Sequence, residues 1–234
     1  MLTGEGKGCA GSAGYGVSGR VRGLLLGIGL LCSLWALASS LGLNREFFEK
    51  VASKYGPEAR LRVEAWNDLI QQSKGLGEMD KLKAVNRFFN EMNFVSDLIH
   101  WGEDDYWATP VEFLGTDGGD CEDFSIAKYF TLRELDVPDE RMRLMYVKAL
   151  KLNQAHMVLT YVKTPDAEPL ILDNLNGEIL KASLRQDLLP VYSFNGDGLW
   201  LAKERGRGHL VGKASRLGTW MDLNNRMKTA VNIP

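Results

Sequence analysis

An α+β fold is what this 234-residue chain predicts, on two patterns. Apolar residues recur at helical spacing through the first part of the chain, and β-branched and aromatic residues alternate through the second. Helices first and an antiparallel sheet second argue for segregated layers rather than βαβ repeats. Over 46–55, Phe47, Phe48, Val51, Ala52 and Tyr55 fall on one helical stripe, and Gly56-Pro57 ends it. Over 58–73, Leu61, Ala65, Trp66, Leu69 and Ile70 form a second stripe, broken by Gly75 and Gly77. Over 80–92, Leu82, Val85, Phe88, Phe89 and Met92 form a third, with Asp80 as its expected N-cap. Residues 93–119 read as a long loop rich in aromatics, acids and turn formers, a type that is often functional. A fourth helix is expected from Asp120 to about Leu135: acids crowd its first turn, and Pro138 marks its end. Strands are expected at 143–150, 156–163 and 169–174, with Asn176-Gly177 as a hairpin turn. Residues 191–194 and 199–203 read as a further pair, and a short helix is expected near Trp220.

The N-terminus reads as an export signal. Arg20 and Arg22 precede the apolar run GLLLGIGLLCSLWALA, which ends in the small-x-small pattern Ala36-Leu37-Ala38. A spanning helix takes about 20 apolar residues, so this shorter run suits a secretory signal peptide over residues 1–38, with an uncleaved anchor as the alternative. Residues 39–234 then form a single domain, and the protein is expected in the periplasm. The net charge of −2 gives no global pull toward nucleic acid. Its distribution says more: no Lys or Arg lies between Arg87 and Lys128, while Glu91, Asp97, Glu103, Asp104, Asp105, Glu112, Asp117, Asp120, Glu122 and Asp123 do. Such a density of carboxylates is either a solvated face or is neutralised by a cation.

Of three cysteines, Cys9 and Cys32 lie in the signal segment, leaving Cys121 as the lone thiol of the mature chain. Free cysteines are most often small buried core residues. Cys121 instead sits at a helix start in Gly118-Gly119-Asp120-Cys121-Glu122-Asp123-Phe124, where N–H groups and the helix dipole favour a thiolate. The flanking acids oppose that thiolate, and a divalent cation would cancel their effect. A nucleophile needs a base, and His100, His156 and His209 are the histidines available. His156 stands at the start of a strand. Asp173 is the one acid in the apolar strand Leu170-Ile171-Leu172-Asp173-Asn174 and suits the third position, orienting an imidazole. Hard oxygen ligands fit Ca²⁺: Asp120 and Glu122 are two, and backbone carbonyls, Asp117 or the 103–105 acids are candidates to complete the shell. The spacing is not that of an EF-hand, and too few His and Cys are present for zinc.

The strings GGDCEDF with IAKYF, QAHMVL and ILDN resemble the bacterial transglutaminase-like cysteine peptidases of the LapG type, over roughly residues 47–201. The resemblance implies a papain- and transglutaminase-like fold with a triad of Cys121, His156 and Asp173. It also implies calcium ligands at Asp120, Glu122 and Asp123. The implied activity is that of a periplasmic calcium-dependent endopeptidase. Its substrate would be the N-terminal region of a large surface adhesin, cut beside a pair of alanines, so that biofilm disperses. The implied inhibitor is the periplasmic domain of an inner-membrane receptor that senses cyclic di-GMP. Two other readings stay open on the residues: acyl transfer to an amine by the same triad, and a non-catalytic periplasmic binding module. Trp101, Tyr106 and Trp107 either line a groove or pack beneath the helix, and packing is the commoner fate of aromatics.

Overall fold

A computed structural model describes residues 43–202 and 208–230; the signal peptide expected over residues 1–38 lies outside the described residues. Three helices open the described chain. Asn44 caps α1 (Arg45–Tyr55), its side chain accepting from Phe47 N–H at 2.9 Å. Gly56, at φ 97°, makes the corner into α2 (Pro57–Ser73), whose Pro57 supplies a preset first turn. α3 (Glu78–Asn90) starts from Gly77, not Asp80; Asp80 lies in the first turn, where its charge meets the helix dipole.

The expected long loop is in fact structured. It holds β1 (Asn93–Phe94), α4 (Asp97–His100), α5 (Pro110–Gly115) and β2 (Gly118–Gly119), with β1 and β2 paired in parallel. Thr109 and Glu112 close a capping box around the start of α5. Next comes α6 (Cys121–Glu134), the central helix. Phe124, Ile126, Ala127, Tyr129 and Leu132 are all buried, because α3 and α5 cover it on one side and the sheet on the other. Trp66 Nε1 donates to Thr131 Oγ1 at 2.8 Å inside this core. Each fully buried large apolar side chain here stabilises the fold by about 1.5–3 kcal/mol.

Strands β3 (Met142–Ala149), β4 (Gln154–Tyr161), β5 (Leu170–Leu172), β6 (Leu180–Lys181), β7 (Leu188–Phe194), β8 (Gly198–Leu201) and β9 (His209–Lys213) form one antiparallel sheet in the order β6-β5-β4-β3-β7-β8-β9. Period-2 alternation sends Leu144, Met157, Leu159 and Leu172 into the helix-side core. Met145, Val147, Val158 and Ile171 form a second apolar cluster on the opposite face. That cluster floors a cavity of about 940 Å³ walled by segments 166–169 and 182–190.

Three further sequence expectations are corrected here, and one strand is new. Asn176-Gly177 is not a two-residue hairpin; β5 and β6 are joined by a longer loop in which Asn176 Oδ1 accepts from Glu178 N–H. The strand expected at 199–203 is Gly198–Leu201, with Lys203 outside the described residues. β9 was not anticipated. The last helix, α7 (Gly218–Ala230), is not short, because Trp220 and Leu223 are buried and Trp220 stacks on Phe130. Arg226 of α7 donates to Glu112 Oε2, Tyr106 Oη and the Trp107 carbonyl, tying the 97–115 region to the domain. Among the described residues, no helix is long and apolar enough to cross a membrane.

Candidate active site

The string around Cys121 folds as a cap. Asp120 is extended, and its Oδ1 accepts from Glu122 N–H at 3.3 Å. Asp123 reaches back, its Oδ2 accepting from Asp120 N–H at 3.2 Å, so the two acids close a capping box. Asp123 Oδ1 also accepts from Ala108 N–H at 2.7 Å, which pins the preceding loop to the helix start. A Cβ at Gly119 would overlap the Asp123 carboxylate, so glycine is required there. Cys121 is therefore the first residue of α6, half-exposed, with the box on either side of it.

The helix start meets β4 where β5 has ended. β5 pairs with β4 only as far as Leu159↔Leu172, and Met157 lies beyond that pairing. The Met157 carbonyl accepts from Ser125 Oγ at 3.0 Å, and its N–H faces the Cys121 sulfur. The next residue back along the strand is His156. Its Nε2 lies 2.8 Å from Asp173 Oδ1, with both side chains buried. A carboxylate only accepts, so Nε2 carries the proton and Nδ1 is the acceptor nitrogen. Asp173 is held on every side. Leu175 N–H donates to Oδ1 at 3.0 Å, Arg185 Nη2 donates to Oδ2 at 2.7 Å, and Asn90 Nδ2 donates to its carbonyl at 2.8 Å. Burial pushes the Asp173 carboxyl up, but the His156, Leu175 and Arg185 partners outweigh it and hold the group at about 2.

Cys121 has the opposite balance. Burial first, then the charges of Glu122 and Asp120, push its thiol far above the usual range. The sulfur donates to Glu122 Oε2 at 2.8 Å. The dipole at the start of α6 is overridden by burial and by the acids beside it.

Those acids form two overlapping groups: Asp120 and Glu122 with Cys121, and Asp120 and Asp123 with Asp97. In each, the ligand atoms lie within 4.8 Å of one another. Asp97 is the candidate ligand that sequence reasoning missed; its signal is a single acid in the apolar string Phe94-Val95-Ser96-Asp97-Leu98-Ile99. Its Oδ2 accepts from Tyr106 N–H at 2.6 Å, while its buried Oδ1 has no hydrogen-bond partner. Burial pushes the Asp97 carboxyl up to about 6 against the pull of Tyr106 N–H, with the charges of Asp120, Asp105 and Glu103 adding to the rise. Burial and then Glu122 push Asp120 up to about 8, and burial holds Asp123 well above its usual range. Buried carboxylates this close, with an orphaned oxygen among them and only oxygen donors from the acids, fit a hard divalent cation. Asp117 is occupied elsewhere, with Asn93 Nδ2 at 3.1 Å and Arg62 Nε at 3.6 Å. Asp105 accepts from Trp107 Nε1 at 2.9 Å. His100 pairs with Thr116, and His209 is exposed on β9. The loop aromatics pack: Trp101 lies against Tyr106, and Trp107 stacks on Phe194.

A cysteine at the start of a central helix, set against a strand whose histidine pairs with an aspartate just past the end of the neighbouring strand, is the layout of transglutaminase-like thiol enzymes. Residues 59–186 match the family of bacterial transglutaminase-like cysteine proteinases, BTLCP, and the chain belongs to that family. Among solved structures it is similar to EGTA-treated LapG of Legionella pneumophila, with 50% identity and a TM-score of 0.70, covering 78% of this chain and 96% of that one. Calcium-bound LapG of the same organism matches at 50% identity and a TM-score of 0.67, covering 78% of this chain and 98% of that one. No curated protein matches the chain.

Proposed function

We propose that the protein is a periplasmic, calcium-dependent cysteine endopeptidase that cuts the N-terminal region of a large surface adhesin beside a pair of alanines and so promotes biofilm dispersal. The observation that carries the catalytic part is the buried His156–Asp173 pair, one residue along β4 from the Met157 N–H that faces the Cys121 sulfur. The export signal supports the compartment. The motif strings that resemble the LapG-type peptidases imply the substrate class, and also a regulator: the periplasmic domain of an inner-membrane receptor for cyclic di-GMP.

In this reading His156 Nδ1 takes the thiol proton while Asp173 holds the imidazole by Nε2–H. The sulfur attacks the peptide carbonyl, and the backbone N–H of Cys121 at the start of α6 stabilises the oxyanion. His156 returns the proton to the leaving amine; water then cleaves the thioester and regenerates the thiol. Asp97, Asp120 and Asp123, with Glu122, would hold calcium. When bound, the ion supplies the positive charge that offsets the acids raising the thiol. That LapG exists in calcium-bound and EGTA-treated forms supports this choice of metal.

The test incubates the purified mature protein with the N-terminal region of its host's large adhesin, in calcium and in EGTA, and sequences the new terminus. A single cut beside paired alanines, lost in Cys121→Ala and in EGTA, is expected. Full cleavage by Cys121→Ala sinks the assignment, whereas full cleavage in EGTA removes only the role of calcium.

A further inference from the structure

The two oxygens of Asp173 have different duties. Oδ1 faces His156 Nε2 and Leu175 N–H; Oδ2 accepts from the Arg185 guanidinium. Arg185 is itself held, its Nε and Nη2 donating to Asp187 Oδ1 at 3.0 Å and Oδ2 at 2.9 Å in a fork. Arg185 is 6% exposed, and its remaining amino group, Nη1, is buried with no hydrogen-bond partner. A buried cation with an open donor is a costly way to fill space, and apolar side chains do that more cheaply. Apolar neighbours are at hand, since Arg185 walls the cavity floored by Met145, Val147, Val158 and Ile171. What the guanidinium does that an apolar group cannot is occupy Oδ2.

We propose that Arg185 is a positioning residue of the peptidase: it holds Asp173 so that Oδ1 points at His156 Nε2, and Asp187 holds Arg185 in turn. The proposal rests on the reading of Cys121, His156 and Asp173 as the catalytic group. With Oδ2 anchored, the carboxylate cannot swing about its terminal bond, so Oδ1 stays on His156 Nε2 and the imidazole is held in one orientation. Arg185 touches neither sulfur nor substrate, so its loss should act on turnover and leave substrate binding alone.

The test compares wild type, Arg185→Met and Arg185→Lys in calcium. Cleavage of the adhesin N-terminal fragment gives kcat and KM, and proton NMR follows the hydrogen-bonded His156 Nε2–H, assigned by its loss in His156→Gln. Methionine keeps the length and meets apolar neighbours, so the fold should persist. Arg185→Met should lower kcat by about 10- to 100-fold, the range for lost supporting partners, with KM changed less than about threefold. Its Nε2–H resonance should shift or broaden, and Arg185→Lys should recover part of both. An unchanged resonance with wild-type kcat in Arg185→Met overturns the proposal. So does a loss of activity that follows unfolding alone, with Arg185→Lys no better than Arg185→Met and the resonance unmoved. If wild type shows no Cys121-dependent cleavage, the catalytic reading fails separately; the resonance still decides whether Arg185 positions the pair.

Discussion

Two fields compete at Cys121. The first turn of α6 favours a thiolate by about 0.3–1 kcal/mol, the usual scale of a helix dipole. Burial and the carboxylates of Glu122 and Asp120 oppose it and win, since the thiol is raised. Removing the nearest charge should therefore show in the metal-free protein. In EGTA, Glu122→Gln should be alkylated by iodoacetamide at Cys121 faster than wild type, by about tenfold for each pKa unit released. Equal rates by mass spectrometry would mean that Glu122 does not restrain the sulfur. The buried acids make a second prediction. Unfolded, Asp97 and Asp120 lose their protons near 3.8; folded without metal, they keep them to about 6 and about 8. Between those values the folded state binds more protons than the unfolded state, so stability falls as pH rises. The contribution is complete below the unfolded value and is lost as pH climbs through the folded values. Thermal unfolding in EGTA should thus show a midpoint that declines from about pH 5 to pH 8, less steeply in Asp97→Asn. A flat or rising midpoint contradicts this.

At the scale of elements, the start of α6 organises the site. Its capping box joins Asp120 to Asp123, and Asp123 reaches Ala108, so helix, loop and acids move as one. Gly119→Ala forces a methyl into the Asp123 carboxylate and should cost about 1–3 kcal/mol by chemical denaturation, the scale of overpacking. Stability equal to wild type would mean that the box can relax. This helix was legible in the sequence because its signals are local: a capping aspartate, acids in the first turn and Pro138 beyond its end. α1, α2 and the strand that carries His156 were legible through their apolar periods, as was the strand expected at 169–174, which ends at Leu172 so that Asp173 lies just past it. The capping box that starts α5 was equally readable in Thr109-Pro110-Val111-Glu112, but the many acids and aromatics around it suggested a loop. β9 was not readable, since His209–Lys213 has no clean alternation and becomes a strand only by pairing with β8. Asp97 and Arg185 were hidden for a related reason. Each reaches its site through tertiary packing; Asp97 stands out only as a lone acid in an apolar string, and the Arg185 segment carries no motif.

For the molecule as a whole, balanced charge conceals an acidic district. Acids and bases nearly cancel over the chain, yet the stretch from Arg87 to Lys128 has no Lys or Arg between its ends. Folding brings Asp97 to Asp120 and Asp123, and Arg226 of α7 anchors the intervening region at Glu112 and Trp107. A cation bound there is coupled to the stability of the entire domain. Calcium at 100 times its Kd should stabilise the fold by about 2.7 kcal/mol through mass action, read as a rise in Tm that Asp97→Asn diminishes. No rise would separate the acids from calcium. The central claim is that Cys121, His156 and Asp173 act together as a nucleophile. It is tested most directly by intact-mass spectrometry of the protein treated with a peptidyl electrophile that ends in Ala-Ala. One adduct should form on Cys121 in calcium, form more slowly in EGTA, and nearly vanish in His156→Gln and Asp173→Ala. Labelling at the wild-type rate in both variants, or no labelling of Cys121 at all, would contradict the account.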